Sequence, residues 1–425
     1  STIEMWNPSA RYEVAVIDEA QMIADPDRGS AWTNAILGVQ AKEVYVCASP
    51  DAKRCLIRMI KSCGDTFEVV SHERKTPLVM EEKEFNFPED VEDGDALIVF
   101  SRRDVHGVAA DLKRAGLSCS IIYGALPYDV RHREAERFAR GETKVVVATD
   151  AIGMGMNLPI RRVVFLQTEK FDGRVTRELR ESEVKQIAGR AGRYGIYDTG
   201  YVQSFGDNAR IEELLHERPR TIEKAVIGIP ADFFWREGNI SDILRVWDEL
   251  PATQDYDKGD IEEKIKIAED LETIAEEKEL VYQFTKFSVD RDDRETYGLL
   301  KSFFRLKSVD MRPDVEEPFF RYDPKKIEIT PEKAGELETM YRVFDFLYAY
   351  SVVYEDEEIL ERILKRKREI SEALMEILES GYIARTCKNC GRKLAWNYPF
   401  GLCDKCYREN GAGESFRRTR RSSRK

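Results

Sequence analysis

No stretch of this 425-residue chain approaches the roughly 18 consecutive apolar residues of a membrane-spanning helix, and no signal-type segment opens it. A membrane partner is therefore not expected, and the compartment reads as cytoplasmic in type, with an organelle matrix second. An excess of positive charge is missing too. Sixty-seven Lys and Arg stand against 79 Asp and Glu, a net charge of −12, which excludes a protein drawn to polyanions over its whole surface. Any nucleic-acid site must be a local basic patch on an acidic body. Cysteine is sparse, with eight residues. Cys47, Cys55, Cys63 and Cys119 are scattered through apolar or helical surroundings and read as free thiols, not as a disulfide framework. An initiating Met is absent as well: the chain starts at Ser1, only a short way before its first motif. The expectation is a piece of a longer product.

What is present is organised around Gln186-Ile-Ala-Gly189-Arg190-Ala-Gly192-Arg193, a Q-x-x-G-R-x-G-R spacing. On a helix, two arginines three apart share one face. Glycines between them would leave that face bare for a phosphate, and guanidinium forks can bind a phosphoryl group through two bonds. That is what is needed where charge builds on a transferring phosphate. Taken alone, the same spacing also describes a surface helix with two solvated arginines.

Upstream, 12–18 (YEVAVID) is predicted as a buried parallel strand that delivers Asp18-Glu19-Ala20-Gln21 at its carboxyl end. An Asp there can hold Mg²⁺ through water, and the next Glu can orient the attacking water; a helix cap would use Asp18 equally well. A second strand, Glu43–Cys47, ends at Ser49-Pro50. After a linker over 81–95, strands at 96–100, 119–123, 144–148 and 162–166 alternate with helices to about 115 and over 129–140. Such alternation predicts a parallel sheet covered by helices. The sheet delivers Ser101-Arg102-Arg103 and then Thr149-Asp150-Ala-Ile-Gly153-Met-Gly155-Met-Asn157 in loops after strands. Asp172-Gly173 is a type I′ hairpin signal. Residues 101–200 hold 18 Lys and Arg against 13 Asp and Glu, so a nucleic-acid backbone is expected there.

From about 212 to 380 helical periodicity takes over, at 240–250, 261–284, 293–306 and 331–380 with breaks. The aromatic-rich run 340–350 is expected in a helix-bundle core, not as a stacking platform. Two CxxC pairs follow, Cys387/Cys390 and Cys403/Cys406, twelve residues apart. Each CxxC turn offers two thiolates, and four with no spare position suit structural Zn²⁺ rather than catalysis. From Phe416 the chain has six basic residues and no acid, and reads as a disordered basic arm.

Taken in order, DEAQ, the Ser-Pro turn, LIVFSRRD, VATDAIGMGMNLP and QIAGRAGR resemble a superfamily-two helicase. VAVIDEAQMIADPDRGSAWTNAILG with ATDAIGMGMNLPIRRVVF looks closest to the RNA helicase of the mitochondrial degradosome and its bacterial relatives. The four-cysteine module is outside the mitochondrial pattern and looks like a bacterial-type extension, so a bacterial-type cytoplasm is preferred to a mitochondrial matrix. The resemblance implies an α/β fold of tandem RecA-like domains, the first incomplete, followed by a helical region and a zinc-ribbon-like module. The expected boundaries are 1–85, 86–210, 211–384 and 385–410, with a basic tail over 411–425.

The resemblance further implies that Asp18 and Glu19 bind Mg²⁺ and activate water, and that Gln186, Arg190 and Arg193 face ATP, the arginines as fingers. Gly155 and Asn157 would lie beside the nucleotide, and Ser101 and Thr149 would contact RNA phosphates. The hairpin at 172–173 would split a duplex or serve as a plain connector. RNA is the implied partner, with an exoribonuclease a further one. One departure matters. The family's phosphate loop, G-x-x-x-x-G-K-[ST], has no counterpart, because no Gly-Lys pair occurs anywhere. The expectation is a helicase fragment, inactive by itself. The competing reading is an ATP-independent RNA-binding or adaptor protein with relic motifs, and the motifs do not exclude DNA as the substrate.

Overall fold

The computed structural model describes residues 3–153, 156–173, 175–315, 317–354 and 357–409. The basic tail over 411–425 and Gly155 lie outside them. In chain order the elements begin with β1 (Arg11–Ile17), α1 (Gly29–Gly38), β2 (Gln40–Val46), α2 (Lys53–Ser62) and β3 (Leu78–Met80). Then come β4 (Asp95–Ile98), α3 (Arg102–Arg114), β5 (Cys119–Ile122), α4 (Tyr128–Ala139), β6 (Val145–Ala148) and β7 (Arg162–Phe165). They continue with β8 (Glu169–Phe171), β9 (Thr176–Glu178), α5 (Glu181–Ala188), β10 (Gly200–Ser204), α6 (Asn208–His216) and β11 (Ala225–Ile227). The rest are α7 (Ile240–Glu249), β12 (Tyr256–Lys258), α8 (Glu262–Glu272), α9 (Lys278–Phe284), α10 (Arg294–Lys307), α11 (Glu317–Phe320), α12 (Ala334–Val353) and α13 (Glu357–Ser380). The chain divides into two units. One comprises 1–72, 218–319 and 345–360, the other 73–217, 320–344 and 361–425. The helical stretch expected over 211–384 is thus shared between the units, and β3 falls in the second although the expected boundary was at 85.

The second unit is built on a six-stranded parallel sheet in the order β3-β10-β7-β4-β6-β5. Every residue of β4, β5, β6 and β7 is buried, the state of a parallel strand covered on both faces. Burial extends even to charges. Asp95 and Arg162, opposite each other in the register of β4 and β7, pair at 2.7 and 3.0 Å. Arg162 also reaches Glu81 at 2.7 Å and the Asp90 carbonyl at 2.7 Å, which ties the linker over 81–95 to the sheet.

In the first unit β1 and β2 pair only with each other, in parallel. The expectation of a buried β1 fails: only Ile17 is buried, while Val14 and Val16 are 53% and 65% exposed. A two-stranded sheet has no neighbours on which to lay its outer side chains. Its core lies where β1 ends, among Ile17, Ile23, Trp32, Ile36, Leu56 and Met59. The helices of this unit enclose an aromatic cluster in which Phe284, Phe303 and Tyr350 meet edge to face. The aromatic run over 340–350 is therefore core, with Phe344, Phe346 and Tyr350 all buried.

Candidate functional site

The acid pair of the first unit sits at the carboxyl end of β1. Asp18 does not cap a helix. Its Oδ1 accepts the Glu19 N–H at 2.9 Å, its carbonyl accepts the Trp32 indole N–H at 2.8 Å, and Glu19 occupies the left-handed region at φ 51°. A non-glycine residue there marks backbone held against its preference. Gln21 explains part of the hold. Its amide N–H donates to the Glu19 carboxylate, and its carbonyl accepts the Ser49 N–H at 3.2 Å. The DEAQ glutamine thus connects the acid pair to the Ser-Pro turn after β2, and a shift at either end is felt at the other.

In the second unit the arginines are not on a helix face. α5 stops at Ala188, and Arg190 and Arg193 lie in the turns beyond it. Gly192, four residues past the end of α5, is in the left-handed region at φ 68°. Gly192 does not clear a path for a ligand, as the spacing had suggested: a Cβ there would lie 2.5 Å from the Gly200 nitrogen of β10. Backbone packs on backbone, and the Gly192 N–H donates to the Ile160 carbonyl at 2.9 Å. The arginine side chains are held at carbonyls of the loop after β6. Arg190 donates to the Gly153 carbonyl, and Arg193 to that of Asn157 at 3.1 Å. Gln186 packs on Gly153, its Cδ 3.4 Å from where a Cβ would stand. So Gln186, Arg190, Arg193 and Asn157 are brought together. Asn157, Arg190 and Arg193, but not Gln186, border a cleft of about 580 Å³ lined also by Glu73, Arg74, Lys75, Thr76 and Tyr194.

Arg74 is the functional residue that sequence reasoning missed. It donates to the Thr76 carbonyl at 2.6 Å, to the Gly189 carbonyl at 2.8 Å and to the Ala191 carbonyl, bracing the arginine turn from below. It precedes β3, in a stretch with no motif spacing, and nothing local signals it. With Lys75, whose ammonium lies 4.5 Å from the Tyr194 ring centre, the cleft has four cations and one carboxylate among its lining residues. That balance suits a polyphosphate.

Ser101 and Thr149 are placed apart from this turn. The Ser101 hydroxyl caps α3, accepting the Asp104 N–H at 3.0 Å and donating to its carboxylate at 2.8 Å. Thr149 is buried and accepts the Ala151 N–H at 3.3 Å. Either hydroxyl would have to exchange these bonds to meet a phosphate. The hairpin exists as β8 and β9, and beyond the Phe171–Thr176 pair the Asp172 N–H donates to the Val175 carbonyl at 3.1 Å. Glu183 anchors its base through two bonds of 2.9 Å from Arg177 and one ion pair of 2.9 Å to Lys170, and it also accepts the Arg180 N–H that begins α5. Burial pushes the Glu183 pKa up, but these donors outweigh it and hold it at about 2. Near the loop, Phe171 and Val175 are 60% and 59% exposed.

The four sulfurs of Cys387, Cys390, Cys403 and Cys406 lie within 4.8 Å of one another. Sulfurs on a tetrahedron of bonds about 2.3 Å long would be about 3.8 Å apart; Cys390 and Cys403 are at 3.7 Å. Backbone N–H groups led by that of Cys403, at 3.2 Å, draw the Cys387 thiol down to about 6, toward the thiolate a metal needs. The donor set fits Zn²⁺. The module is docked by Trp396, which is buried against Phe87 and Phe205 and whose N–H donates to Asp111 of α3 at 3.1 Å. Its Cβ lies 3.1 Å from where a side chain on Gly107 would begin.

The parallel sheet with its loops after strands is an α/β fold of RecA-like construction, and two parts of the chain match helicase families. Residues 1–72 match the family model described as the DEXQ-box helicase domain of Suv3, and residues 81–195 match the helicase conserved C-terminal domain. The Candida albicans mitochondrial ATP-dependent RNA helicase SUV3 is 40% identical over 242 residues, 56% of this chain and 33% of that protein. The Arabidopsis thaliana mitochondrial DExH-box ATP-dependent RNA helicase DExH16 is 31% identical over 382 residues, 84% of this chain and 64% of that protein. The chain thus spans less than two thirds of the length of either. A structure of S. cerevisiae Dbp5 bound to RNA and ADP BeF3 is similar over 61% of this chain and 63% of that one, at 17% identity and a TM-score of 0.36. The relatives overturn the expectation of a bacterial-type cytoplasm, since those of yeast, plant and fly are named mitochondrial. The error has a plain cause: the four-cysteine module was given weight on compartment that it does not carry, and the acidic composition suits a cytoplasm and an organelle matrix alike.

Proposed function

We propose that this chain carries working parts of a Suv3-type, ATP-dependent RNA helicase acting in mitochondrial RNA turnover. The observation that carries the reading is the arginine turn, with two guanidinium groups fixed at carbonyls of one loop and bordering a cation-rich cleft. Donors fixed in advance stabilise developing charge without reorganising during reaction. In this reading Arg190 and Arg193 neutralise charge on the γ-phosphate, and Gln186 and Asn157 keep the loop and turn in register. Gly155, outside the described residues, keeps the place beside the nucleotide that the family resemblance implies. Asp18 holds Mg²⁺, which screens the phosphates when bound, and Glu19 orients the attacking water. Ser101, Thr149 and the basic segment around them lie along the RNA backbone. Phe171 and Val175 give the hairpin an apolar wedge against a base pair. Zn²⁺ held by the four cysteines is structural. An exoribonuclease partner belongs to this reading through the family resemblance alone.

The test is RNA-stimulated ATP hydrolysis by a version extended upstream to include a phosphate loop. Arg193→Ala should lower turnover by about a thousandfold, the usual range for an arginine finger, with RNA affinity kept within a few-fold. Undiminished turnover would overturn the arginine assignment, and no turnover in the extended parent would favour the adaptor reading, in which the motifs are relics.

A further inference from the structure

The cysteine module has a second surface that the metal and the docking tryptophan leave unused. Between residues 385 and 409 it carries six Lys and Arg against two acids, in a chain whose net charge is −12. Trp396 faces the rest of its unit, but Phe400 and Tyr407 are 58% and 59% exposed. Their rings are stacked, with centres 6.0 Å apart and planes 24° from parallel. Tyr398 meets Phe400 edge to face at 6.0 Å and supports it from the side. Such a pair is costly to leave in water unless it meets a flat apolar partner. Its position is fixed by the knuckles themselves. Phe400 leads into Gly401, whose carbonyl accepts the Lys388 N–H at 2.9 Å, and the Lys388 stem lies over Gly401, 3.2 Å from where a side chain would begin. Tyr407 directly follows Cys406, and its N–H donates to the Cys403 carbonyl at 2.8 Å. Around the rings Lys388, Lys405 and Arg408 are exposed, Lys405 lying 3.9 Å from Glu409.

Exposed rings held rigidly amid cations are what a single strand of nucleic acid needs: faces for unstacked bases and charges for the backbone between them. An acidic protein segment could meet the cations but would leave the ring faces without flat partners. We infer that the Phe400–Tyr407 pair of the cysteine module is a stacking platform for single-stranded RNA, with Lys388 and Arg408 as its phosphate contacts. The inference reaches past the helicase reading, which assigns RNA to the sheet-borne loops and the hairpin.

The experiment is fluorescence anisotropy of the full 425-residue chain with a labelled single-stranded oligouridylate, without nucleotide, at fixed low salt. Phe400→Ala with Tyr407→Ala should weaken binding about tenfold or more, as expected for lost base–aromatic stacking. Phe400→Trp with Tyr407→Trp should restore it. A fully paired RNA should be bound equally by all three proteins. Zinc content and the unfolding midpoint, unchanged among them, would separate lost stacking from lost folding. Affinity of the Ala pair within twofold of the parent would overturn the platform and leave this surface to a protein partner. Failure of the parent chain itself to bind RNA would overturn the platform together with the RNA-helicase reading, whereas ATP turnover tests that reading alone.

Discussion

Two parallel sheets with the same kind of sequence meet opposite fates in this molecule. Val145–Ala148 of the second unit and Val14–Ile17 of the first are both β-branched apolar runs that end at a polar motif. All of β6 is buried, whereas in β1 the valines stand 53% and 65% exposed. Burial is a property of what surrounds a strand, and apolar character only permits it. The chemistry differs in the same way. The acid pair at the end of β1 is fixed from nearby in the chain, by Gln21 and Trp32, whereas the arginine turn is fixed by contacts far apart in sequence, from Arg74 and Gly153.

The sharpest way to break this contrast is at the buried charge cluster. Arg162→Ala would leave Asp95 fully buried without its partner, which costs about 3–5 kcal/mol. Denaturant unfolding followed by exchange of the β4 and β7 amides would show it, and a loss under about 1 kcal/mol would mean that water reaches the site. Next in size, Leu97→Ala in β4 should cost about 2–5 kcal/mol through the cavity it leaves, while Val16→Ala in β1 should stay within about 0.5 kcal/mol. Equal losses would show that β1 is covered in solution. The smallest effect is a pH dependence. The Glu183 pKa is held at about 2 against an ordinary 4.5. Its stabilisation is therefore complete above about pH 4.5 and is lost as pH falls toward 2. Glu183→Gln should flatten the melting-temperature profile across that window and leave a constant deficit above it. An unaltered slope would mean that other carboxylates govern acid unfolding.

The sequence displays much of this arrangement and hides the rest for definable reasons. Short apolar runs at 96–98 and 145–148, and the 3.6-residue periodicity of α3 and α7, place the central strands and these helices within a residue or two. β3 and β10 are invisible to such reading. One has three residues, and the other begins with a glycine and contains Gln203, because β10 is placed by pairing with β7 and by the Gly192–Gly200 contact, and β3 by pairing with β10. The motif residues were legible as a set, but their backbone state was not. Q-x-x-G-R-x-G-R reads as a helix by spacing, whereas the helix ends at Ala188 and both arginines lie beyond it. Arg74 left no trace in the sequence, since its bonds all go to carbonyl oxygens, which every residue supplies alike.

Trp396 resting on Gly107 has one more consequence. The helix beneath it, α3, begins at Ser101 with its carboxylate partner Asp104, carries Gly107 and Asp111 under the tryptophan, and gives its last turn to Lys113, which reaches the Ser380 carbonyl at 3.0 Å. It works as a mounting rail. The cysteine module is seated on the very helix that starts at the Ser-Arg-Arg loop, and a single hydrogen atom in place of a side chain makes the seat. Gly107→Val would lift the module from its rail and leave it on a tether. Its outward-facing rings would then sweep a volume where they now hold a bearing.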